Sequence, residues 1–488
     1  MNRVRPILVC LCPVVGIFFY LLVGGVTPSA ALEFVGFDLS NQFEYSQNTD
    51  DHEETLENWL DVTYRMDMLT TGLRFEAFQP SKSGQRKEEI SFIYFMVEKD
   101  GIMLRGGDYY AIFGRGLTLR SYEDRDLRVD NKLTGIKLHG YYKGFEATLL
   151  GGRPPRKDRD NADEVRGLDL NFQPAGGLIL GGSYVSLEGP GIVGRGTEIT
   201  SIRTEAYRGP VSFYGELAKR TRQMGYGLYL SSNLALSGFA VTAELKDYDR
   251  ISMRTSDGLE YNTPPALTRE HLYSLFRRHP YTLDSNDETG LQIEANLSPL
   301  EQTTVLVNYS YTAAHQDDTT GPDEPELLGG WSMPLFREAY LEISQEIGQR
   351  ASLIAAAGKT VAPEVIGQTG ALDLTLYLDP VNTLRIELQA QHTEEHGEYD
   401  DHMLTLEFTH APRMVLSLVA ERTNKSDLQK LSGEANNWLF AQLDYQLTEN
   451  HDATLFIGSR QGGFICTGGR CRWEPEFEGV ELRLLSNF

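Results

Sequence analysis

The chain has 488 residues, with 69 acidic against 45 basic side chains and a formal net charge of −24. Such an excess of carboxylates repels nucleic acid and suits calcium, magnesium or cationic ligands, although solvated loops are the plainer reading of it. No segment after the first 31 residues approaches the roughly eighteen consecutive apolar residues of a membrane helix, so helical spans are excluded there.

Residues 1–31 read as a secretory signal. Arg3 and Arg5 give it a basic start, Ile7 to Val26 an apolar run, and Ser29, Ala30 and Ala31 a small-residue exit. A retained anchor is the alternative, because about twenty apolar residues can span a bilayer. Cys10 and Cys12 lie inside the run and leave with it, which makes the remainder more acidic still by removing Arg3 and Arg5.

From residue 32 to 488 the chain reads as one unit of short strands. Tight turns at 98–101, 142–144, 174–177, 208–210, 298–300, 348–349, 379–382, 411–413 and 448–450 alternate with longer polar stretches. The longer set lies near 46–55, 81–88, 109–131, 154–165, 188–196, 248–289, 314–333, 360–368, 393–401, 423–436 and 461–476. Short turns at one end of the strands and long loops at the other is the asymmetry of an outer-membrane barrel. Counting between the breaks gives roughly 24 strands, an even number as a closed antiparallel barrel requires. A barrel that wide encloses a lumen its wall side chains cannot fill.

Two segments break the strand pattern. The first, 109–131, brackets Arg115 between Gly114 and Gly116 and interleaves Arg115, Arg120, Arg125 and Arg128 with Glu123, Asp124, Asp126 and Asp130. Facing a lumen, these charges would form a constriction that selects solutes by charge and size. Arg115, Arg120, Glu123, Asp124, Arg125 and Asp130 are the pore-lining candidates. An ion-pair network that buttresses the wall, or an exposed charged loop, accounts for the same residues.

The second segment is 248–289. Here Thr263 and Pro264 could cap a helix over 267–278, with Leu267, Leu272, Leu275 and Phe276 as its apolar stripe. His271, Arg277, Arg278 and His279 cluster basic charge on it and are the plug or lid candidates. A surface helix packed on the rim is the competing reading.

The run Phe113 to Arg120 with Tyr122 to Arg125 and Asp130, Asn131, Leu133 and Gly135 resembles one hallmark of a porin-like outer-membrane family of Gram-negative bacteria. Residues 262–273, with Arg278, His279 and Pro280, resemble its second hallmark. The resemblance implies a barrel, an outer-membrane location and no assigned activity, so it brings no catalytic residues with it.

Toward the carboxyl end the alternation is strict. Leu372, Leu374, Leu376 and Leu378 interleave with Asp373, Thr375, Tyr377 and Asp379, and Leu384, Ile386 and Leu388 with Arg385, Glu387 and Gln389. In a soluble sandwich the apolar face would be internal, whereas in a transmembrane barrel it meets lipid. The stretch 392–402 packs His392, His396 and His402 among carboxylates and could hold a divalent cation, although a solvated acidic loop is the default. Cys466 and Cys471 are spaced for a small disulfide-closed loop, and neither a zinc set nor a haem-attachment motif accompanies them.

In the last strand Val480, Leu482 and Leu484 share the phase of Phe488, which resembles the terminal signal read by the barrel insertion machinery; Ser486 departs from that pattern. There is no Gly-x-Ser-x-Gly elbow and no local Ser/His constellation, and His139 and His410 stand singly, so an enzyme is not expected. No cofactor is expected either.

These features predict a closed antiparallel transmembrane β-barrel in lipid, with a short helix in its longest loop. Its expected role is a channel or transporter for small solutes. The alternative is a barrel that anchors or sheathes partner proteins.

Overall fold

In the computed structural model the described residues are 36–488 without 51, 83–85, 156–162, 190–195, 222–223, 316–330, 332, 427–434 and 468. The signal reading for 1–31 therefore lies outside them. The main sheet holds 24 strands, each antiparallel to the next in the chain. It closes where the first strand, Phe37–Asn48, meets the last, Phe477–Asn487, in register from Ser40↔Asn487 to Asn48↔Gly479. Closure leaves no sheet edge, so every wall strand finds backbone partners on both sides. The chain end joins the seam, with Phe488 and Leu39 exchanging backbone hydrogen bonds of 2.9 and 3.4 Å.

One end of the barrel is all short turns, such as 67–68, 100–101, 143–144 and 209–210. At 100–101 both central residues are left-handed, Asp100 with φ 51° and Gly101 with φ 79°, and Lys143 and Gly144 repeat this at 48° and 84°. That pairing is a type I′ turn, whose twist matches the strands it joins. The other end carries the long connections 110–132, 250–286 and 461–476.

The alternation resolves into two surfaces. Leu372, Leu388, Leu404 and Ala420 are neighbours across four strands on the outer face. Leu372 and Leu388 remain 52% and 50% exposed, which water would penalise and hydrocarbon does not. Tyr141, Tyr142, Phe145, Tyr207, Phe213, Tyr377 and Tyr445 are exposed next to the short turns, as in an aromatic girdle at a membrane interface. On the inner face Arg385 grips Asp373 with hydrogen bonds of 3.0 and 2.7 Å, so the wall's charges are paired inside the lumen.

Three local expectations need correction. The helix expected over 267–278 reduces to one 3-10 turn, Ser274–Arg277. Leu267 has φ 57°, which breaks any helix there, and Leu272 is 84% exposed instead of joining an apolar stripe. The stretches 360–368 and 393–401 are not long loops, because strands Ala351–Ala362, Val365–Tyr377, Asn382–Glu394 and Glu398–His410 run almost to each other. His392 and His402 thus sit on strands facing outward, and His392 bonds Asp400 at 2.8 Å. Among the described residues no group of three His, Cys, Asp or Glu side chains is arranged to hold a metal.

The apolar core of the protein lies inside the barrel. Wall residues Leu133, Leu150, Val165, Val185, Ile199, Tyr214, Tyr229 and Tyr248 pack against Phe113, Leu117 and Leu119 from one long loop and Ile251, Met253, Tyr261 and Leu267 from another. The lumen at the long-loop end, along the strands from Ile102–Tyr109 to Phe239–Asp249, is therefore filled by the chain itself.

Candidate functional site

The loops 110–132 and 250–286 meet as a pair of short extended segments. The Arg120 amide donates to the Tyr261 carbonyl at 2.8 Å, and the Thr263 amide to the Gly116 carbonyl at 3.1 Å. Gly116 has φ 87°, and a β-carbon there would stand 2.6 Å from the Thr263 carbonyl oxygen, so only glycine allows this approach. Asn262 staples the two loops from inside. Its Nδ2 donates to Leu117 O at 3.0 Å and Ile251 O at 2.8 Å, while its Oδ1 accepts from the Met253 amide at 2.6 Å.

Asn131 performs the mirror task, donating to Glu260 O at 2.9 Å and Arg120 O at 3.3 Å. Tyr261, whose phenol burial keeps it protonated, donates to Lys132 O at 3.1 Å. The two hallmark motifs are thus the two halves of one plug.

A wall carboxylate fixes the plug's tip. Glu216 is 1% exposed and accepts from the Arg115 amide at 2.9 Å, Ser201 Oγ at 3.0 Å and Tyr214 Oη at 2.6 Å. Gly114 lies so close that a side chain there would strike the Glu216 carboxylate. Beyond Tyr214 on its own strand, the partners of Glu216 come from another strand and a distant loop, and nothing local in the sequence marks them.

The charged residues of 110–132 divide by role. Glu123 is held by Arg74 at 2.6 Å, and Arg74 also binds Asp61 at 2.7 Å. Arg125 reaches Gln42 at 2.7 Å, Asp61 and Glu123 at 3.5 Å, and lies over the Trp59 ring. Asp124 accepts from the Leu127 amide, and Asp130 from Tyr110 Oη, both at 2.9 Å. The contacts of Glu123 and Arg125 tie the loop to the wall, and those of Asp124 and Asp130 brace the loop internally. Arg115 is exposed over Tyr214, and Arg120 lies over Tyr122; neither meets a carboxylate partner among the described residues.

The rest of the second loop, 264–283, forms a strap along the inner wall. It leaves and returns at one fully buried ion pair, Lys246 with Glu288. Lys246 Nζ also donates to Ala266 O at 2.7 Å, and Glu288 accepts from Tyr281 Oη and the Asp284 amide. Both partners are hydrogen-bonded further, which offsets much of the cost of burying the charges.

Between those anchors the strap docks on other strands. His271 Nε2 meets Glu338 Oε1 at 2.7 Å, with its ring against Phe276 and Tyr340. The Leu275 backbone is held on both sides, its amide by Gln389 and its carbonyl by Gln391, at 2.9 and 2.7 Å. Arg278 pairs with Glu421 and bonds Gln461. Arg277 is exposed and has no carboxylate partner among the described residues. His279 is held below its ordinary range by burial, with Glu395, Lys425, Asp401 and Arg278 as its charged neighbours.

The third inward element is the hairpin of Gly463–Thr467 and Arg470–Glu474, closed by a Cys466–Cys471 disulfide. Arg470 binds Glu260 at 2.6 Å, Arg472 donates to Asp126 O at 2.8 Å, and Gly469 O accepts from the Leu283 amide at 2.9 Å. The hairpin therefore clips the plug to the strap.

Beside these three elements the lumen retains a cavity of about 1160 Å³. Its wall side carries Glu44, Glu57, Asp444 and Glu481 with Arg460 and Arg483, and its loop side Arg125, Arg128, Arg277 and Arg278 with Asp126, Glu270 and Glu474. Of the pore-lining candidates only Arg125 borders it; Arg115, Arg120, Glu123, Asp124 and Asp130 lie elsewhere on the plug. His271, Arg277, Arg278 and His279 all border it.

Among known proteins, a family described as of unknown function, DUF6029, matches residues 31–488. No curated protein matches. Among solved structures the chain is similar to the translocation pore of the P pilus usher PapC, at 10% identity and a TM-score of 0.47, covering 92% of this chain and 99% of that one. It is also similar to the siderophore receptor PirA from Pseudomonas aeruginosa, at 12% identity and a TM-score of 0.43, over 93% and 80% of the two chains. The outer membrane protein OprD from Pseudomonas aeruginosa aligns at 9% identity and a TM-score of 0.36, over 93% and 92%.

Proposed function

We propose that this chain, which belongs to the DUF6029 family over residues 31–488, is an outer-membrane channel for small solutes, narrowed by its own loops. The apolar outer face and the aromatic girdle at the short-turn end suit a bilayer. The observation that carries the reading is the cavity beside the plug. Carboxylates and guanidinium groups from both the wall and the loops line about 1160 Å³, a space sized for small polar solutes and not for a folded partner. Rings and patches of charged side chains along a narrow passage are the means by which pores sort solutes.

The same packing weighs against a sheath for another chain, because the space such a chain would thread is occupied by residues 110–132, 250–286 and the disulfide hairpin. The channel reading assigns the apolar plug to sealing one sector and the polar strap to gating the other.

Single cysteines test the route. Gln42→Cys and Asp444→Cys border the cavity, and among the described residues the native cysteines Cys466 and Cys471 are paired in a disulfide. A charged thiol reagent should block current through both variants in planar bilayers. Reaction at both sites with undiminished current would refute the route.

A further inference from the structure

The strap covers a group of buried oxygens that its own contacts leave unused. Asp401 is 2% exposed, Gln391 4% and Thr393 0%, and all three face inward on the neighbouring strands Asn382–Glu394 and Glu398–His410. Gln391 and Asp401 are direct cross-strand partners, and Thr393 follows on the same face. Asp401 Oδ1, Gln391 Oε1 and Thr393 Oγ1 are each buried without a hydrogen-bond partner among the described residues.

One end of the Gln391 amide is committed elsewhere. Its Nε2 donates to Leu275 O and to Thr369 Oγ1, both at 2.7 Å, and Thr369 lies on the preceding strand. The amide oxygen is the end left bare, on the residue that pairs across the sheet with Asp401. Each bare buried oxygen costs about 1–3 kcal/mol. The strap lies over the group: a β-carbon at Gly367 would be 3.7 Å from Gln391 Nε2 and 4.0 Å from His279 Cδ2.

We infer that Asp401, Gln391 and Thr393 bind a hard, oxygen-seeking cation of the calcium class beneath the strap. A carboxylate, an amide carbonyl and a hydroxyl are ligands that calcium accepts in flexible geometry, with water from the lumen completing the shell. One carboxylate makes the site weak, about 10⁻⁴–10⁻³ M, the range of extracellular calcium modules. Because the same Gln391 side chain holds Leu275 O, an occupied site stiffens the rung on which the strap is seated. The cation thus stabilises the docked strap.

The test is hydrogen exchange of strap amides 270–281 in the full chain, folded in detergent. It compares chelator, Ca²⁺, Mg²⁺, Na⁺ and K⁺, with N-methylglucamine as the cation-free control. Calcium at a hundred times its Kd should slow exchange of the strap about a hundredfold, with smaller effects of the other ions. Asp401→Asn, nearly isosteric, should lose that dependence while the barrel stays folded by heat-modifiable gel migration. Equal strap exchange in every cation for the wild type would overturn the site and leave the oxygens to water or a shared proton. Calcium protection that survives in Asp401→Asn would overturn the assignment of Asp401. The wild-type comparison decides the matter even where the variant folds poorly.

Discussion

Replacing Asn262 by alanine isolates the junction between the two halves of the plug. Asn262 is wholly buried and makes three hydrogen bonds, to the Met253 amide and to the Leu117 and Ile251 carbonyls. Truncation leaves one amide and two carbonyls without partners in an apolar surround. A stranded amide costs about 1–3 kcal/mol, and carbonyls with a second lone pair cost less each. A total of about 3 kcal/mol is on the order of a hundredfold loss in the ratio of joined to parted loops.

The wall is untouched, so the barrel itself should persist in Asn262→Ala. Hydrogen exchange at 116–120 and 261–263 should accelerate by about that hundredfold, with strand amides unchanged. Current through the variant should become larger or noisier. Asn262→Asp keeps the acceptor for Met253 but loses both donors and buries a charge, so it should be no better. Unchanged protection at 116–120 in Asn262→Ala would refute the plug as a stapled pair of loops.

Further expectations concern the tip, the cavity, the hairpin and pH. Glu216→Ala strands three donors at the wall and should free the tip at 112–116 to proteolysis, whereas Glu216→Gln, which retains an acceptor oxygen, should have a milder effect. Arg277→Glu reverses an exposed charge bordering the cavity and should shift reversal potentials toward cation preference, while Arg115→Glu, outside the cavity, should shift them less. Reducing the Cys466–Cys471 disulfide relaxes a short loop at a cost of about 2 kcal/mol and should raise current noise.

His279 gives the pH dependence. Burial holds its ring below the ordinary range, so the docked strap binds fewer protons than the released one. Docking is at full strength above about pH 6.5 and weakens as pH falls through that value, by up to about 1.4 kcal/mol per unit. Opening frequency should rise on acidification below about pH 6.5, and His279→Asn should flatten that part of the response.

How far the sequence reaches depends on whether a residue's partners are local. The wall was legible because each strand states its own facing: Leu372 and Asp373 differ in phase, and that alone assigns one to lipid and one to the lumen. The plug segments were legible as exceptions, since Gly114, Gly116 and Pro264 interrupt the alternation. What the exceptions do was not legible. For Glu123 and Arg125 the sequence leaves a constriction and a wall-buttressing ion-pair network both open, and only the remote wall residues Arg74, Asp61 and Gln42, which claim their charges, decide between them.

The helix expected over 267–278 failed for a related reason. Leu267 is drawn into the plug core, Phe276 into a second cluster with Tyr340, and a helix cannot place both. The stretches 360–368 and 393–401 looked like loops from their polar composition, but lumen-facing and rim positions of a barrel strand are polar as well. Glu216 and Glu288 take some partners from nearby, Tyr214 for one and Tyr281 and Asp284 for the other, but the contacts that make them anchors, Arg115 on Glu216 and Lys246 on Glu288, join residues remote in sequence.

The most direct test is single-channel conductance of the folded full chain in planar bilayers, compared with a variant lacking 264–283. The account predicts a small, steady conductance for the full chain through the cavity beside the plug, and a several-fold larger one once the strap is removed. Bilayers that stay sealed with both proteins would contradict it.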